Sequence, residues 1–323
     1  MATTHRPGLP PVTEPSVKSF SLARSRPRYG EGVVKVLLVL AAGLSVATTV
    51  AILVALLRPA LEFFQEVSLW RFLTEREWAP LFLPARYGVR ALATATLLIT
   101  AIAMFVCVPL GIGAAVYLSE YASARARRVI KPMLEILAGV PTVVYGFFAL
   151  TFVTPNILQK LPLLGGSNKV SIYNALSAGV VMGFMLLPTV ASLSEDAMSS
   201  VPSALKQGSL ALGANRFQTT VKVIIPAAIS GIIASIILAA SRAIGETMVV
   251  TIAAGAIANF SLDPRESMQS ITSFIAQVAQ GDLPTGSNEY RTMFALGLML
   301  FVVTLGLNIL SIRLVRRFRE VYE

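Results

Sequence analysis

Cysteine and histidine are almost absent from this chain, with one of each in 323 residues. The lone Cys107 sits in an apolar segment, which excludes an intrachain disulfide and a thiolate metal site. The lone His5 lies in the N-terminal tail, so histidine-based acid–base catalysis and His/Cys zinc chemistry have no residues to work with. Charge is scarce too, at 14% of residues against 55% hydrophobic, with a mean hydropathy of +0.71. A soluble domain is far more polar, so the chain reads as an integral membrane protein. No G-x-x-x-x-G-K-[ST] phosphate loop occurs, since Gly165-Gly166-Ser167-Asn168-Lys169 has the wrong spacing and context; the chain therefore has no ATP site of its own. Gly111 and Gly113 start a G-x-G without its third glycine, and Asn259-Phe260-Ser261 is a sequon of a kind that arises often by chance. No Ser/His, His/Glu or paired-aspartate constellation lies within the apolar runs, which argues against an intramembrane enzyme.

What is present is a series of apolar runs with basic residues beside them. Residues 1–31 are rich in Pro, Ser, Thr and Arg and are expected to form a disordered basic tail. The run 36–57 is too long for a signal core and has no small-residue cleavage site behind it, so it reads as a first transmembrane helix. Residues 58–90 mix glutamates, arginines and aromatics around Trp70 to Trp78, as expected of an extramembrane loop with interfacial anchors. Further spans are expected over 91–118, 133–153, 172–193, 229–258 and 292–312, with a basic loop at 120–131, a polar loop at 259–290 holding Asp263, Glu266, Asp282 and Glu289, and a basic tail at 313–323. Gly179 and Gly183 in the fourth span form a small-xxx-small pair that lets another helix approach closely. Six spans put both termini on one side. That side carries 17 Lys and Arg against 9 on the other, which makes the termini and the 194–226 loop cytoplasmic. The net charge of +10 then reflects orientation and contact with anionic membrane lipid rather than nucleic acid.

The stretch Ser241-Arg242-Ala243-Ile244-Gly245-Glu246-Thr247-Met248 stands in the middle of the fifth run. An ionisable residue at mid-membrane costs roughly 2.5–3.5 kcal/mol on insertion scales, so two of them need a reason. Spaced i, i+4 on one helix, Arg242 and Glu246 share a face. They are either an ion pair that fixes packing or the lining of a polar pathway in which the guanidinium meets an anion, with Ser241 and Thr247 beside it. Glu135, close to Lys131 at the end of the third span, reads equally as a solvated end charge or a gate or coupling residue. Pro141 and Pro188 are expected to kink their helices.

Within 194–226, residues 204–212 suit a short helix, Gly213 supplies a turn that needs no Cβ, and Pro226 opens the next span. This gives a compact knob or an interfacial connector. The pattern Gln207-Gly208-Ser209, three residues, Gly213, nine residues, Val223-Ile224-Ile225-Pro226 resembles the cytoplasmic loop of ABC-importer permeases, whose short form is Glu-Ala-Ala, three residues, Gly, nine residues, Ile-x-Leu-Pro. The Gly and Pro match in position; Gln207-Gly208-Ser209 replaces Glu-Ala-Ala and loses one acidic contact.

Three other segments look like signatures of the phosphate-specific permeases. They are Glu135 to Gly146, Ser241 to Thr247, and Gly183-Phe184-Met185-Leu186-Leu187-Pro188 with Ser194-Glu195-Asp196-Ala197. The resemblance covers about residues 90–312. The basic N-terminus and the large first outer loop are more like the PstC type than its PstA partner.

The resemblance implies an all-α integral membrane protein of the type I importer class, with six transmembrane helices. It implies a complex with a PstA-type second permease, two copies of a cytoplasmic ATPase that bind ATP and Mg, and an extracytoplasmic phosphate-binding protein. This chain itself would bind no cofactor. A permease for sulfate, molybdate or another oxyanion fits the same guanidinium. An ion-gradient-driven secondary transporter would show inverted repeats, which the sequence lacks. A non-transporting scaffold would have no polar residues at mid-span.

Overall fold

The computed structural model describes residues 29–164, 169–281 and 283–318. Most of the basic tail at 1–31, the glycines at 165 and 166, Asp282 and the last five residues lie outside the described residues. The chain divides into two units, Met1–Ile52 and Leu53–Glu323. In the first, the described residues belong to the opening turns of helix α1 (Tyr29–Glu66), whose Val33, Leu37 and Leu44 are exposed, as lipid-facing residues should be.

Among the described residues the second unit is helical with one short hairpin. After α1 come α2 (Leu69–Thr74) and the strands β1 (Trp78–Ala79) and β2 (Arg86–Tyr87), paired antiparallel with Trp78 opposite Tyr87. These elements close over an aromatic cluster: Phe63 meets Phe72 with ring centres 6.0 Å apart, and Trp78 meets Phe274 at 5.0 Å, both edge-to-face. The expected interfacial anchors are thereby corrected. Phe72 and Trp78 are buried in this cluster, and among the three aromatics only Trp70 is exposed, because Phe274 arrives from far along the chain to cover the others.

Helix α3 (Arg90–Val116) packs along α6 (Ala175–Ser199), and this pair is the centre of the fold. Ile99, Ala103, Met182, Met185, Leu186 and Val190 fill the core around it. The close approach has a local cause. A Cβ on Gly179 would fall 2.7 Å from the Cβ of Ile102, and one on Gly183 would fall 2.7 Å from the Cβ of Val106, so only glycine fits at either crossing. Pro188 lies inside α6, which continues unbroken to Ser199.

Between α3 and α6, the expected third span is divided differently. Helix α4 (Ala124–Gly139) is amphipathic with no buried residue, and the chain breaks at Val140 and Pro141 before α5 (Thr142–Phe148). The membrane-crossing stretch is Thr142–Lys160, so residues 133–139 and most of the basic loop at 120–131 belong to α4 instead. Pro141 does not kink a helix; it holds the position before the first turn of α5, where its fixed φ and missing N–H cost nothing.

Beyond α6 come α7 (Ser203–Ala211), α8 (Arg216–Thr219) and α9 (Ile225–Ala227), then α10 (Ile229–Ile244), α11 (Met248–Ala253), α12 (Ile271–Gln280) and α13 (Asn288–Phe318). The basic residues Arg313 and Arg316 continue α13 instead of forming a tail. Among the described residues five helices are long and apolar enough to cross a membrane, and the pair Arg216–Ala227 and Ile229–Ile244, bent by 69°, makes six when it is counted as one span.

The loop after α11 turns at Gly255, whose φ of +97° suits glycine, and lies on the start of α6. Leu176 donates its N–H to the Pro264 carbonyl at 2.7 Å, and Ser171 to that of Arg265 at 3.0 Å. The side chain of Arg265 clamps Asp263 with donors at 2.8 and 2.5 Å, and these hydrogen bonds push the Asp263 carboxyl down to about 2. A carboxylate depressed in this way adds stability that is complete above its ordinary value of about 4 and is lost as pH falls through about 2. Amide exchange at Leu176, corrected for intrinsic rate, is therefore expected to stay slow down to pH of about 4 and to accelerate only between about 4 and 2. Asp263→Asn should remove that pH step; a step in the wild type centred at an ordinary carboxylate value would refute the clamp.

Candidate functional site

The structure breaks the stretch at its centre. Helix α10 stops at Ile244 with Gly245 as its cap, and α11 begins at Met248 with Thr247 before it. Glycine is a poor helix former, and here the break is held from outside: the Thr272 hydroxyl donates to the Glu246 carbonyl at 2.6 Å. Arg242 and Glu246 are thus not one helical turn apart on a common face, and the expected ion pair does not form. Arg242 is exposed and, among the described residues, reaches only the Thr189 hydroxyl of α6, at 3.5 Å. The Glu246 carboxylate turns to the first turn of α11, where it accepts the Val249 N–H at 3.4 Å. Thr247 is half-buried and donates its hydroxyl to the Gly245 carbonyl at 3.3 Å, and the buried hydroxyl of Ser241 has no hydrogen-bond partner. A guanidinium with no carboxylate on it, in the last turn of α10 beside the helix break, has its donors free for an anion.

At the other end of α10 the chain forms a knob. Gly213 takes φ +89° after α7, Asn215 caps α8 through a reciprocal pair of bonds with Gln218, and the hydroxyls of Ser209 and Thr219 lie 3.0 Å apart, tying α7 to α8. This is the helix, glycine corner and second helix expected of the stretch, although the polar segment starts near Ser200, since residues 194–199 complete α6. Gln207 and Gly208 face solvent, as do the apolar Leu212 and Phe217, and Pro226 lies exposed in α9 at the bend. Lys206 of α7 forms an ion pair with Glu120 at the end of the α3 span.

One functional-looking residue escaped the reading from spacing alone. Glu195 is 1% exposed, inside α6, and is paired with both Arg127 and Lys131 of α4, the latter at 2.8 Å. Ser199 donates to the same carboxylate at 3.2 Å, and Asp196 takes a second bond from Lys131 at 3.2 Å. The available signal was the i, i+4 spacing of Arg127 and Lys131, which puts two cations on one helical face. Glu135 lies one turn beyond Lys131 on the same side of α4, but it is exposed and takes no part in the cluster around Glu195.

Residues 107–320 match the family described as the binding-protein-dependent transport system inner membrane component. The chain belongs to this family. It is a permease subunit of a binding-protein-dependent ABC importer, a multi-pass inner-membrane protein whose ATPase is a separate subunit. The ion-gradient-driven carrier considered from sequence falls away with this membership. Among relatives, the chain is 34% identical over 278 residues to the probable ABC transporter permease protein YqgH of Bacillus subtilis, covering 85% of this chain and 87% of that protein. It is 33% identical over 249 residues to the phosphate transport system permease protein PstC of Mesorhizobium japonicum, covering 72% and 74%. Among solved structures, the fold is shared with a bacterial alginate ABC transporter in complex with an alginate-bound periplasmic protein, at TM-score 0.60 and 15% identity over 92% of this chain and 100% of that one. It is also shared with an inward-facing MetNI methionine ABC transporter, at TM-score 0.56 and 18% identity over 72% and 96%. These permeases show the type I importer fold that the loop motif implied.

Proposed function

We propose that this permease carries inorganic phosphate across the inner membrane and is the PstC-type half of a heterodimer with a PstA-type permease. The observation that carries the reading is Arg242, a guanidinium left without a carboxylate and exposed in the last turn of α10 at the helix break. The PstC relatives support phosphate as its anion. An external binding protein delivers the phosphate. Two copies of a cytoplasmic ATPase, which hold the ATP and Mg, meet the knob around Gly213 through Gln207, Gly208 and Ser209. Their closure on ATP moves that knob, and the bent arm at Pro226 passes the movement to α10, alternating access to Arg242. Arg242 offers bidentate donors to a phosphate oxygen pair. Glu246, four residues on, tempers the attraction so that the anion leaves, while Ser241 and Thr247 provide hydroxyls beside the path. The lysine and arginine asymmetry supports cytoplasmic termini.

Arg242→Gln should lower labelled phosphate uptake at least about tenfold, the effect of losing about 1.4 kcal/mol of binding to a charged donor, while the complex still assembles. Normal uptake would sink the pathway role, and failed assembly would assign Arg242 to packing. Competition by sulfate or molybdate equal to that of unlabelled phosphate would make this the permease of another oxyanion.

A further inference from the structure

The exposed face of α4 changes character along its length. Arg125 with Arg128 and Val129, Val129 with Met133, and Met133 with Ile136 are spaced three or four residues apart, so the five share that face. The opposite side, with Arg127, Ile130, Lys131 and Leu134, is half-buried and is held to α6 through Glu195. On the exposed side the first turns are basic and the rest is apolar: Val129 is 56% exposed, Met133 57% and Ile136 70%. Among the described residues neither Arg125 nor Arg128 has an ion-pair or side-chain hydrogen-bond partner. Beside them a cavity of about 600 Å³ opens between α4 and the end of the α3 span, lined by Leu118, Ala122, Arg127, Arg128, Lys131 and Glu135.

The surroundings fix what would complement such a face. From Ile136 through Gln159 the chain carries no charge, and only Val140 and Pro141 separate α4 from the crossing stretch Thr142–Lys160. The apolar end of α4 is therefore next to the crossing stretch, and its basic end lies about 12 Å further from it along the helix axis, eight residues at roughly 1.5 Å each. Cations at headgroup depth above an apolar stripe match one ligand class, an anionic phospholipid with its phosphate on the guanidinium groups and its acyl chains along the stripe. Glu135 in the cavity wall opposes an anion placed deep there, which leaves Arg125 and the outer side of Arg128 as the headgroup contacts.

We infer that α4 holds an anionic phospholipid, its headgroup on Arg125 and Arg128 and its chains along Val129, Met133 and Ile136. Lipid retention decides the matter. The intact importer complex, extracted from mixed phosphatidylglycerol and phosphatidylcholine vesicles, is examined by native mass spectrometry for wild type and for Arg125→Gln/Arg128→Gln. Each arginine near a membrane surface contributes about a fivefold preference for anionic lipid, so the double variant should lose phosphatidylglycerol retention by at least about tenfold. Arg125→Lys/Arg128→Lys should keep most of it.

Equal retention by wild type and the glutamine variant would overturn the site. So would displacement of the lipid by millimolar inorganic phosphate, which would make the ligand a free anion. Crosslinking of Met133→Cys to the second permease at high yield would overturn the lipid as occupant in favour of a subunit contact. If the glutamine variant does not assemble, the wild-type complex alone decides, and retention of phosphatidylglycerol less than twofold above phosphatidylcholine refutes the inference.

Discussion

Replacing both Arg127 and Lys131 with glutamine is expected to cost about 3–5 kcal/mol, because it leaves the Glu195 carboxylate charged, buried and without a cation. The cost should be strongly asymmetric. The two cations are 40% and 36% exposed at their side chains, so Glu195→Gln alone releases them to water, and Lys131 keeps its bond to Asp196. That single change should cost far less, about 1 kcal/mol, the scale of an ordinary hydrogen-bond loss. Adding Glu195→Gln to the double variant should restore most of the lost stability, since the uncompensated charge is then gone. Thermal unfolding of the purified complex in detergent, run on all three variants, checks the ordering. If the Glu195→Gln protein is as unstable as the double variant, the penalty lies in lost packing and the electrostatic account fails.

Gly183→Val should be comparably severe, at about 3 kcal/mol, the upper range for an overpacked contact. Its new Cβ would sit 2.7 Å from the Cβ of Val106 and 2.9 Å from the Ala103 carbonyl oxygen. Neither neighbour is the end of a flexible side chain, so α3 and α6 must separate along the whole crossing. Gly183→Ala should give a smaller loss of the same sign. The control is Gly113→Ala: a Cβ there meets nothing within 4 Å, and alanine is the better helix former, so no loss is expected. Unfolding midpoints of the three variants make the comparison. Equal midpoints for Gly183→Ala and Gly113→Ala would show that the crossing has slack.

The parts of this fold that were legible before the structure are those whose cause is local. Continuous apolar runs gave α1, α3, α6 and α13 because length and hydropathy alone decide whether a helix can cross a membrane. The Gly213 corner was legible because a positive φ favours glycine, and the Gly179 and Gly183 pair because close helix approach demands small residues. What was not legible depends on distant partners. The break at Gly245 looks helical from its neighbours and is held by Thr272, 26 residues beyond Glu246. Trp78 resembled an interfacial anchor until Phe274 covered it. Glu195 looked like the start of a polar loop, and only Arg127 and Lys131, 68 and 64 residues earlier, make its burial tolerable. The candidate site follows the same rule: its residues were visible by type, while the partners that each would choose were not.

The 69° bend at Ala228 gives the chain a lever. The arm Arg216–Ala227 reaches about 18 Å from that point at helical rise, so a rotation of about 10° about Ala228 sweeps its far end through about 3 Å. Force applied across that arm at Arg216 thus arrives at α10 as torque rather than as thrust along its axis. A straight helix of the same length would have transmitted the opposite.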